Sequence, residues 1–560
     1  MFLRKKDHIL LVAIAVLTVS IFFALFAFRA FDDNRTTSWE WVFAVVDVAR
    51  VYPALLASVL VAYAVSRFSL PERFTAPFLL VISFAVAACF WRLPEITVDA
   101  SRYFTQAKHL ELKGVAYFFR EWGGEIPAWT DLPLVPFLHG LIFRVFGESR
   151  VAIQIFTSFL FSMTAILTYH FGKTLWDEAT GLLGGALLLG IPYLLTQAPL
   201  MLVDVSAMFF LTLSVFALNA VMKKGGAAAA ALSVLSICFC ILAKFSLWPM
   251  LSVLAVVFIV HRMQHPGPDP GVVTRRAIRV AALSLIIAAA FFLSRYDVIR
   301  GQLMLLAEFQ GPGLKRWGES MISTFLFQIH PFISAAAAYS AYAALRKRDL
   351  RYVIIVWLPA LAVLFQVRRI RYLIPLFPML ALMASYGLQE VRRAKVRNMI
   401  AGCAVAASLA VSLFAYLPFL EKMSASNLQH AGEFLDSIGG ESVDVYVLPR
   451  AGDLINMAVS VPILDLFTKK EIHYEYEPRH FPLQSEIETS RLRFTWEYRN
   501  PQYYDRRPAG RADTIVVLSS RPDDALPPRV LLETRDYRRL KIFDTYEGLF
   551  SHRVTARVYW

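Results

Sequence analysis

Long apolar runs dominate this chain and limit what it can fold into. A helix crosses the hydrocarbon core of a bilayer with about 20 consecutive apolar residues, and runs of that length recur up to residue 418. Hydrophobic residues make up 57% of the 560 residues and charged residues only 18%, whereas soluble domains carry about 25% charged residues. The sequence therefore predicts an α-helical polytopic membrane protein.

About thirteen transmembrane helices can be drawn from these runs. The first follows the basic start MFLRKKDH. Its apolar run is too long for a signal peptide and ends without a small-residue cleavage pattern, so we expect an uncleaved span. The remaining spans are expected at 42–66, 77–94, 149–171, 179–198, 201–222, 227–245, 247–261, 278–296, 323–345, 352–367, 372–389 and 398–418.

The charges of the loops indicate an orientation. The net charge of +14 comes mainly from short basic loops, such as RKRDLR and EVRRAKVR, and cytoplasmic loops are the ones enriched in Lys and Arg. With this rule the N-terminus is cytoplasmic and everything after residue 418 is extracytoplasmic, in a multi-pass protein of the cell (inner) membrane. The same distribution argues against nucleic acid as a partner.

Two stretches differ from the apolar background. Residues 95–148 form a polar, aromatic loop with a helical face and a Gly114 stop, which predicts a folded outer segment. From residue 419 the composition is that of a soluble domain, with a helix in NLQHAGEFLDSIGG and strands in VDVYVLP, DTIVVLSS and RVTARVYW. We interpret residues 419–560 as a small C-terminal α/β extracytoplasmic domain.

Three aspartates are candidates for chemistry. Asp99 is either the N-cap of a helical segment starting at Ser101 or a general base beside the membrane, and both roles are compatible. Asp131 either starts a helix or binds sugar hydroxyls. Asp204 lies within the first turn of an apolar span, where a carboxylate is costly unless it faces a cavity or a partner.

Four cations are candidates for binding an anion. Lys244 interrupts an apolar run, and it either snorkels to the interface or holds an anionic ligand. Arg368, Arg369 and Arg371 lie on the side predicted to be outside, against the positive-inside bias. Because Arg binds phosphate bidentately, an anionic lipid headgroup is the expected ligand. The histidines and cysteines lack metal-ligand spacing, so no structural zinc is expected.

The series of motifs resembles the C-type glycosyltransferases, which include the protein O-mannosyltransferases and the lipid A aminoarabinose transferases. An aspartate after a span, Tyr103 at the fourth position and Gly114 resemble the first outer loop of that group. DLPLVPFLHGLIFRVFGES, LMLVDVSAMFFLTLSVFAL, CILAKFSLWP and RYLIPLFPMLALMASYGL are similar to its later segments, in the same order. The resemblance covers roughly residues 77–400, so residues 1–76 are two extra N-terminal helices and 77–418 the catalytic module.

The chain also departs from the group's pattern. It has Asp99-Ala100 where Asp-Glu is frequent, so no role is assigned to a second carboxylate there. It has Asp131-Leu132-Pro133-Leu134 in place of Lys-Pro-Pro-Leu, which exchanges a cation for an anion.

The resemblance implies transfer of one sugar from a polyprenyl-phosphate donor to a lipid, glycan or protein acceptor at the outer membrane surface. Asp99, assisted by Asp204, would take the proton of the acceptor hydroxyl, and the anomeric carbon would be inverted. Donor binding is expected from the residues Lys244, Arg368, Arg369, Arg371 and Tyr372, and sugar or acceptor binding from Tyr103 and Asp131. No cofactor is expected, and a divalent metal is compatible but not implied.

Two other function classes fit part of the pattern. A transporter or flippase of a lipid-linked or anionic substrate would share the polytopic architecture, but two similar halves with broken helices are not visible. A non-catalytic scaffold would not need a carboxylate at membrane depth or the arginine cluster. The transferred sugar is expected to be a hexose or a pentose.

Overall fold

A computed structural model describes residues 2–34, 37–68, 70–264, 269–310, 319–448, 455–475, 493–505, 512–545 and 552–560. The chain divides into two compact units. The first comprises Met1–Trp91, Phe156–Pro199 and Val203–Phe419, and the second comprises Arg92–Ile155, Leu200–Leu202 and Leu420–Trp560.

The first unit is a bundle of apolar helices. Among the described residues of the whole chain, seven helices are long and apolar enough to cross a membrane: His8–Ala27, Val48–Val65, Arg150–Leu175, Val203–Lys224, Pro270–Ser294, Ile370–Leu388 and Ala394–Leu420. Shorter apolar helices complete the bundle, at Glu72–Ala88, Glu178–Leu187, Ala227–Ala243, Ser252–Met263, Pro331–Lys347 and Tyr352–Leu364. The predicted polytopic helical class is confirmed.

Several predicted spans are interrupted. The run 179–198 ends as a helix at Leu187, and a separate short helix, Pro192–Gln197, begins at a proline, whose ring is favoured in a first turn. The helix Ala227–Ala243 ends before Lys244, whose backbone is extended at φ −162° and ψ 134°. Such breaks bring polar backbone and side chains to membrane depth, which is tolerated where protein surrounds them.

The second unit contains the folded loop. Its main helix spans Thr97–Lys113 and ends at Gly114, whose φ of +87° favours glycine. The next helices are Val115–Glu121 and Leu134–Phe146. A Cβ on Gly140 would stand 2.7 Å from Leu110 Cβ and 2.9 Å from the Ala107 carbonyl oxygen. Glycine therefore lets the helix Leu134–Phe146 lie directly against the helix Thr97–Lys113.

An ion pair joins the two ends of this loop. Arg150 Nε lies 3.0 Å from Glu95 Oε1, and the Met201 amide donates to Glu95 Oε2 at 2.9 Å. The Glu95 side chain is fully buried, and a buried carboxylate of this kind is tolerated because both oxygens are satisfied. The loop thus begins and ends at one fixed point.

The C-terminal part of the second unit is the predicted α/β domain. Its five strands are β1 Ser442–Val447, β2 Glu471–His473, β3 Thr514–Ser519, β4 Leu540–Phe543 and β5 Thr555–Tyr559. The sheet order is β2-β1-β3-β5-β4, with β1 parallel to β2 and β3, and β5 antiparallel to β3 and β4. The helices Ala425–Ser437, Val461–Leu466 and Pro528–Thr534 accompany it.

Three strands were predicted, and the structure adds β2 and β4. These two are three and four residues long and lie at the edges of the sheet. Runs this short give too few residues for an apolar alternation to be recognised, so periodicity does not reveal them. The buried centre, β3, was the strongest apolar run and was predicted with its correct position.

Candidate active site

The predicted site residues form two groups, one in each compact unit, and each group is described by itself. In the second unit the group consists of Asp99, Tyr103 and Asp131. In the first unit it consists of an aspartate, a lysine, three arginines and a tyrosine: Asp204, Lys244, Arg368, Arg369, Arg371 and Tyr372.

Asp99 lies inside the first turn of the loop helix, not at its N-cap. The helix begins at Thr97, and the N-cap position is Ile96, which makes no side-chain cap. The predicted N-cap role of Asp99, before a helix starting at Ser101, is therefore wrong, because the helix extends further towards the N-terminus. In the first turn the carboxylate still interacts favourably with the positive end of the helix dipole.

A guanidinium group joins the two aspartates of the loop. Arg102 Nη2 lies 3.1 Å from Asp99 Oδ1 and 3.1 Å from Asp131 Oδ1. The side chains of Asp99, Arg102 and Asp131 are 16%, 10% and 6% exposed. Asp131 lies before the helix Leu134–Phe146, whose N-cap is Pro133, so its carboxylate binds Arg102 instead of starting that helix.

The charges of the two aspartates and the arginine in this triad do not cancel. Burial opposes the charge of Arg102, but Asp131 and Asp99 outweigh it and hold the pKa of the guanidinium above its ordinary value. Two carboxylates then share one cation, which leaves one negative charge in the triad. Asp99 remains the more exposed of the two carboxylates, so it is the one that a bound molecule can reach more easily.

Aromatic and amide groups surround the triad. The Tyr103 ring is buried and lies 5.9 Å from the Arg102 guanidinium carbon. The indole ring of Trp129 lies 6.0 Å from the same carbon on another side, and Gln106 Nε2 donates to Asp131 Oδ2 at 3.5 Å. The backbone of Trp129 has a φ of +43°, which is uncommon for a bulky residue and occurs more often at functional sites.

The other face of the loop helix is anchored by a buried lysine. Lys108 Nζ lies 2.6 Å from Asp465 Oδ2 and 3.1 Å from Glu148 Oε2, and the Tyr504 hydroxyl donates to Asp465 Oδ2 at 2.7 Å. Burial and the neighbouring Asp465 raise the pKa of Glu148 well above its ordinary value. This cluster connects the helix that carries Asp99 to the C-terminal domain.

In the first unit, Asp204 is the centre of the second group. It lies in the first turn of the helix Val203–Lys224, and its side chain is fully buried. Lys244 Nζ lies 2.5 Å from Oδ1, and Arg371 Nε lies 2.8 Å from Oδ2. Each carboxylate oxygen therefore has its own cation, which is the arrangement that makes a buried charge tolerable.

Tyr372 adds an aromatic face between Lys244 and a further cation, Arg369. Its ring centroid lies 5.1 Å from Lys244 Nζ and 5.6 Å from the guanidinium carbon of Arg369, which is within cation–π range. Arg368 is directed elsewhere: it is exposed, and its Nη2 donates to Gln366 Oε1 at 3.2 Å.

The net charge of this group is positive. Asp204 compensates one of the two cations that bind it, and Arg369 adds a third at the Tyr372 ring. Lys244 and Arg371 retain 15% and 13% side-chain exposure, so part of each side chain is accessible from outside the protein. A positively charged cluster with a planar guanidinium is suited to a phosphate group.

Within the described part of the chain, no three His, Cys, Asp or Glu side chains are grouped so that they could hold a metal ion. The expectation that no cofactor is needed stays a prediction.

Sequence reasoning missed Arg102, Lys108 and the buried Glu319. Arg102 follows Asp99 by three residues, the spacing at which side chains of a helix meet, so its pairing with Asp99 could have been predicted. The contacts of Lys108 with Asp465 and of Glu319 with the Ile370 amide cross 357 and 51 residues. No local pattern signals such distant pairs.

The chain is similar to known membrane transferases. A model of the dolichyl-phosphate-mannose-protein mannosyltransferase family matches residues 129–298. The structure resembles the crystal structure of ArnT from Cupriavidus metallidurans bound to undecaprenyl phosphate, with a TM-score of 0.54 and 11% sequence identity over 86% of this chain and 97% of that chain. The apo ArnT structure gives 0.50 and 12% over the same shares.

A third structure is more distant. The archaeal oligosaccharyltransferase AglB from Archaeoglobus fulgidus, in complex with an inhibitory peptide and a dolichol-phosphate, has a TM-score of 0.44 and 13% identity over 58% of this chain and 51% of that chain. A sequence comparison with curated proteins gives no significant match. The predicted resemblance to the C-type glycosyltransferases is confirmed as a likeness of fold.

Proposed function

We propose that this chain, which has the C-type glycosyltransferase fold, transfers one sugar from a polyprenyl-phosphate donor to an acceptor hydroxyl. The observation that carries the proposal is the cationic group around Asp204, where Lys244 and Arg371 bind opposite oxygens of one buried carboxylate. A polyprenyl phosphate carries an anionic phosphate beside a lipid tail, so its binding site needs cations at membrane depth. The matched mannosyltransferase family model and the undecaprenyl phosphate in the similar ArnT structure support this donor class.

The cations have a role in the chemical step as well. When the bond between the anomeric carbon and the phosphate oxygen breaks, the leaving phosphate gains negative charge. Lys244, Arg371 and Arg369 stabilise that charge, so the phosphate leaves without taking a proton. Asp204 assists by holding two of these cations in place, which keeps the site organised before the donor arrives.

The acceptor side needs a base, and we assign it to Asp99. The acceptor oxygen forms a new bond to the anomeric carbon from the face opposite the phosphate, which inverts the configuration, and its proton passes to the Asp99 carboxylate. Arg102 orients this carboxylate, and Asp131 holds the same guanidinium in place. Tyr103 and Asp131 are the proposed contacts of the sugar or the acceptor.

The basic loops support an orientation with the N-terminus in the cytoplasm and the reaction at the outer face of the inner membrane. In that arrangement residues 1–76 are additional helices, residues 77–418 are the catalytic module and residues 419–560 are the outer domain. A lipid, glycan or protein acceptor and a hexosyl or pentosyl donor are all consistent with the group.

The experiment is a transfer assay with the purified protein in nanodiscs. Undecaprenyl-phosphate donors carrying radiolabelled hexose or pentose are incubated with lipid, glycan and peptide acceptors. We expect label to pass from one donor class to one acceptor class, and Lys244→Met to abolish the transfer. Lys395→Met is the matched control, because Lys395 is an exposed lysine in the first turn of the helix Ala394–Val411.

Two results would contradict the proposal. Absence of transfer from every donor, with no measurable binding of undecaprenyl phosphate, removes the donor class. Movement of an intact labelled donor across a vesicle membrane without sugar transfer favours the alternative, a flippase of a lipid-linked substrate.

A further inference from the structure

The arginine segment, residues 366–371, depends on neighbours for its conformation. It connects the helix Tyr352–Leu364 to the short helix Ile370–Leu373, and Gln366 has a φ of +53°. Arg371, at the end of this segment, binds Asp204. An irregular segment that must hold charged side chains in position needs support from a second layer of contacts.

A second segment supplies that support through two buried side chains. In this bridging segment, residues 319–328, Thr324 Oγ1 donates to the Arg368 carbonyl oxygen at 2.9 Å, and Glu319 Oε2 accepts from the Ile370 amide at 3.3 Å. Both side chains are at least 94% buried. The segment contains a π-helical turn, Ser323–Phe327, a conformation that is rare and often found at functional sites.

The bridging segment is bound in turn by the N-terminal loop, residues 29–34 and 37–39. Asp32 accepts hydrogen bonds from the Ser323 hydroxyl and from Gln328 Nε2, the latter at 3.1 Å. The Ser320 amide donates to Asp33 Oδ1 at 2.9 Å, and the indole of Trp39 donates to the Phe327 carbonyl oxygen at 2.9 Å.

Further buried hydrogen bonds involve the N-terminal loop and the bridging segment. Asp32 is 2% exposed and also accepts from the Trp39 amide at 2.7 Å. Thr37 and Gln328 exchange two further bonds, Thr37 Oγ1 to Gln328 Oε1 at 2.8 Å and Gln328 Nε2 to the Thr37 carbonyl oxygen at 3.1 Å. Burying a carboxylate is costly unless donors compensate it, and here several donors do so. A fully satisfied buried network of this kind specifies one arrangement of the chain.

We infer that the N-terminal loop positions the arginine segment for donor phosphate, acting through the bridging segment. The inference rests on the proposed function, since it assigns the phosphate to Arg369 and Arg371. The N-terminal loop, which precedes the proposed catalytic module, would then contribute to donor binding. Asp32 is then a positioning residue, because it touches neither the arginines nor the ligand.

The first test is hydrogen–deuterium exchange of the full-length protein in nanodiscs. Asp32→Ala is compared with Asp47→Ala, which removes an aspartate of the same N-terminal region that caps the helix Val48–Val65 and is 58% exposed. We expect faster exchange in peptides covering 319–328 and 366–374 for Asp32→Ala only. Faster exchange confined to the N-terminal loop and the bridging segment would overturn the inference.

Thr324→Val provides the second variant, in case Asp32→Ala does not fold. It keeps the shape of the side chain and removes its bond to the Arg368 carbonyl oxygen, together with a longer bond, 3.2 Å, to the Ser320 carbonyl oxygen within the bridging segment. We expect faster exchange in 366–374 without a change in the N-terminal loop. Unchanged exchange in 366–374 would also overturn the inference.

The second measurement is the affinity for undecaprenyl phosphate and the steady-state kinetics with the donor. We expect Asp32→Ala to weaken undecaprenyl phosphate binding about 10-fold and to raise the donor KM, with acceptor KM unchanged. A loss of kcat without a change in donor affinity would contradict positioning. If the wild type itself does not bind undecaprenyl phosphate, the proposed function fails, and the exchange of 366–374 still decides whether the loop positions this segment.

Discussion

At the residue scale, the two candidate carboxylates differ in how their charge is compensated. Asp204 is fully buried and has one cation on each oxygen, so it is suited to hold cations and poorly suited to accept a proton. Asp99 binds the Arg102 guanidinium together with Asp131, and its side chain stays 16% exposed. The two environments therefore favour Asp99 as the proposed base and Asp204 as the residue that holds the cations, whereas the sequence alone suggests both as catalytic residues.

The first prediction concerns Asp99→Asn. The amide keeps the size of the side chain but cannot take the acceptor proton, so we expect kcat for sugar transfer to fall by at least about 10²-fold. Thermal unfolding in detergent should change little, because Arg102 retains Asp131 as a partner. A folded Asp99→Asn protein that transfers sugar at the parent rate would exclude Asp99 as the base and redirect the assignment to Asp131.

The second prediction concerns Arg371. Loss of a charge-assisted phosphate contact should cost about 1.5–3 kcal/mol of donor binding, so Arg371→Ala should raise the donor Kd by roughly 10-fold or more. Arg371→Lys should recover only part of it, because an ammonium group does not bind phosphate bidentately. Arg368→Ala is the comparison, since its exposed side chain binds Gln366. Equal donor affinities in all variants would remove the arginines from the phosphate site.

At the element scale, the loop helix is fixed on both faces. Asp99 and Lys108 are nine residues apart, which is about two and a half turns and places them on opposite sides. One side carries the Asp99–Arg102–Asp131 triad, and the other side binds Asp465 and Glu148. The C-terminal domain thus contributes to the position of the helix that carries the proposed base.

The third prediction tests this anchor with Lys108→Met. Removing the cation leaves Asp465 and Glu148 buried without compensation, which should lower the free energy of unfolding by about 3–5 kcal/mol. Lys113→Met is the control, because Lys113 is exposed and should change stability by less than about 0.5 kcal/mol. The loss should shrink as the pH is lowered, because Glu148, whose pKa is raised by burial and by Asp465, takes up a proton more readily than an ordinary carboxylate. A variant as stable as the control would show that the anchor contributes nothing.

The fourth prediction concerns the pH dependence of the N-terminal loop. Burial raises the pKa of Asp32 from 3.8 to about 6, so the folded state binds a proton more tightly than the unfolded state. The resulting stabilisation, about 3 kcal/mol, is complete below pH 3.8 and is lost as the pH rises through 6.

The measurement is thermal unfolding between pH 4.5 and 7.5 for the wild type and Asp32→Asn. Asp33 and Glu319 lie near Asp32, and burial raises the pKa of Glu319 to about 7, so both proteins will titrate. Only the difference between them reports on Asp32, and we expect the wild type to lose more stability than Asp32→Asn over this range. Parallel curves would contradict the prediction.

The elements show what local sequence can and cannot predict. Apolar runs and the Gly114 stop are local signals, so the helical class, the loop helix and the central strand β3 were predictable. The start of the loop helix is predicted too late, because Asp is a favoured N-cap residue and Asp99 therefore suggests a helix that begins after it. Contacts such as Lys108 with Asp465 depend on the fold of distant segments, so no propensity or spacing could predict them.

At the scale of the whole molecule, the likeness to ArnT in fold and the series of motifs agree. The order of the motifs carried the resemblance, although the sequence identity to ArnT is only 11%. Fold alone does not specify a reaction, so the proposed transfer depends on the charge arrangement of the two groups and not on the superposition.

The fifth prediction concerns orientation. With Cys89, Cys238, Cys240 and Cys403 replaced by Ala, a single cysteine at the exposed position Arg535 should react with a membrane-impermeant maleimide from outside the cell. Lys395→Cys, in the basic stretch at the start of the helix Ala394–Val411, should react only after the membrane is opened, because basic segments beside spans remain in the cytoplasm. The reverse labelling pattern would invert the proposed topology.

The ion pair between Glu95 and Arg150 has a consequence for how such proteins can diversify. Since it joins both ends of the folded loop, the sequence between them can change in length without moving the adjoining spans. The exposed tip at Gly123 and Gly124 is the natural place for such change, because exposed tips of small residues tolerate insertions. Insertions at this tip leave the Asp99–Arg102–Asp131 triad and the Glu95–Arg150 pair in place, so the proposed acceptor preference can vary while the proposed base is kept.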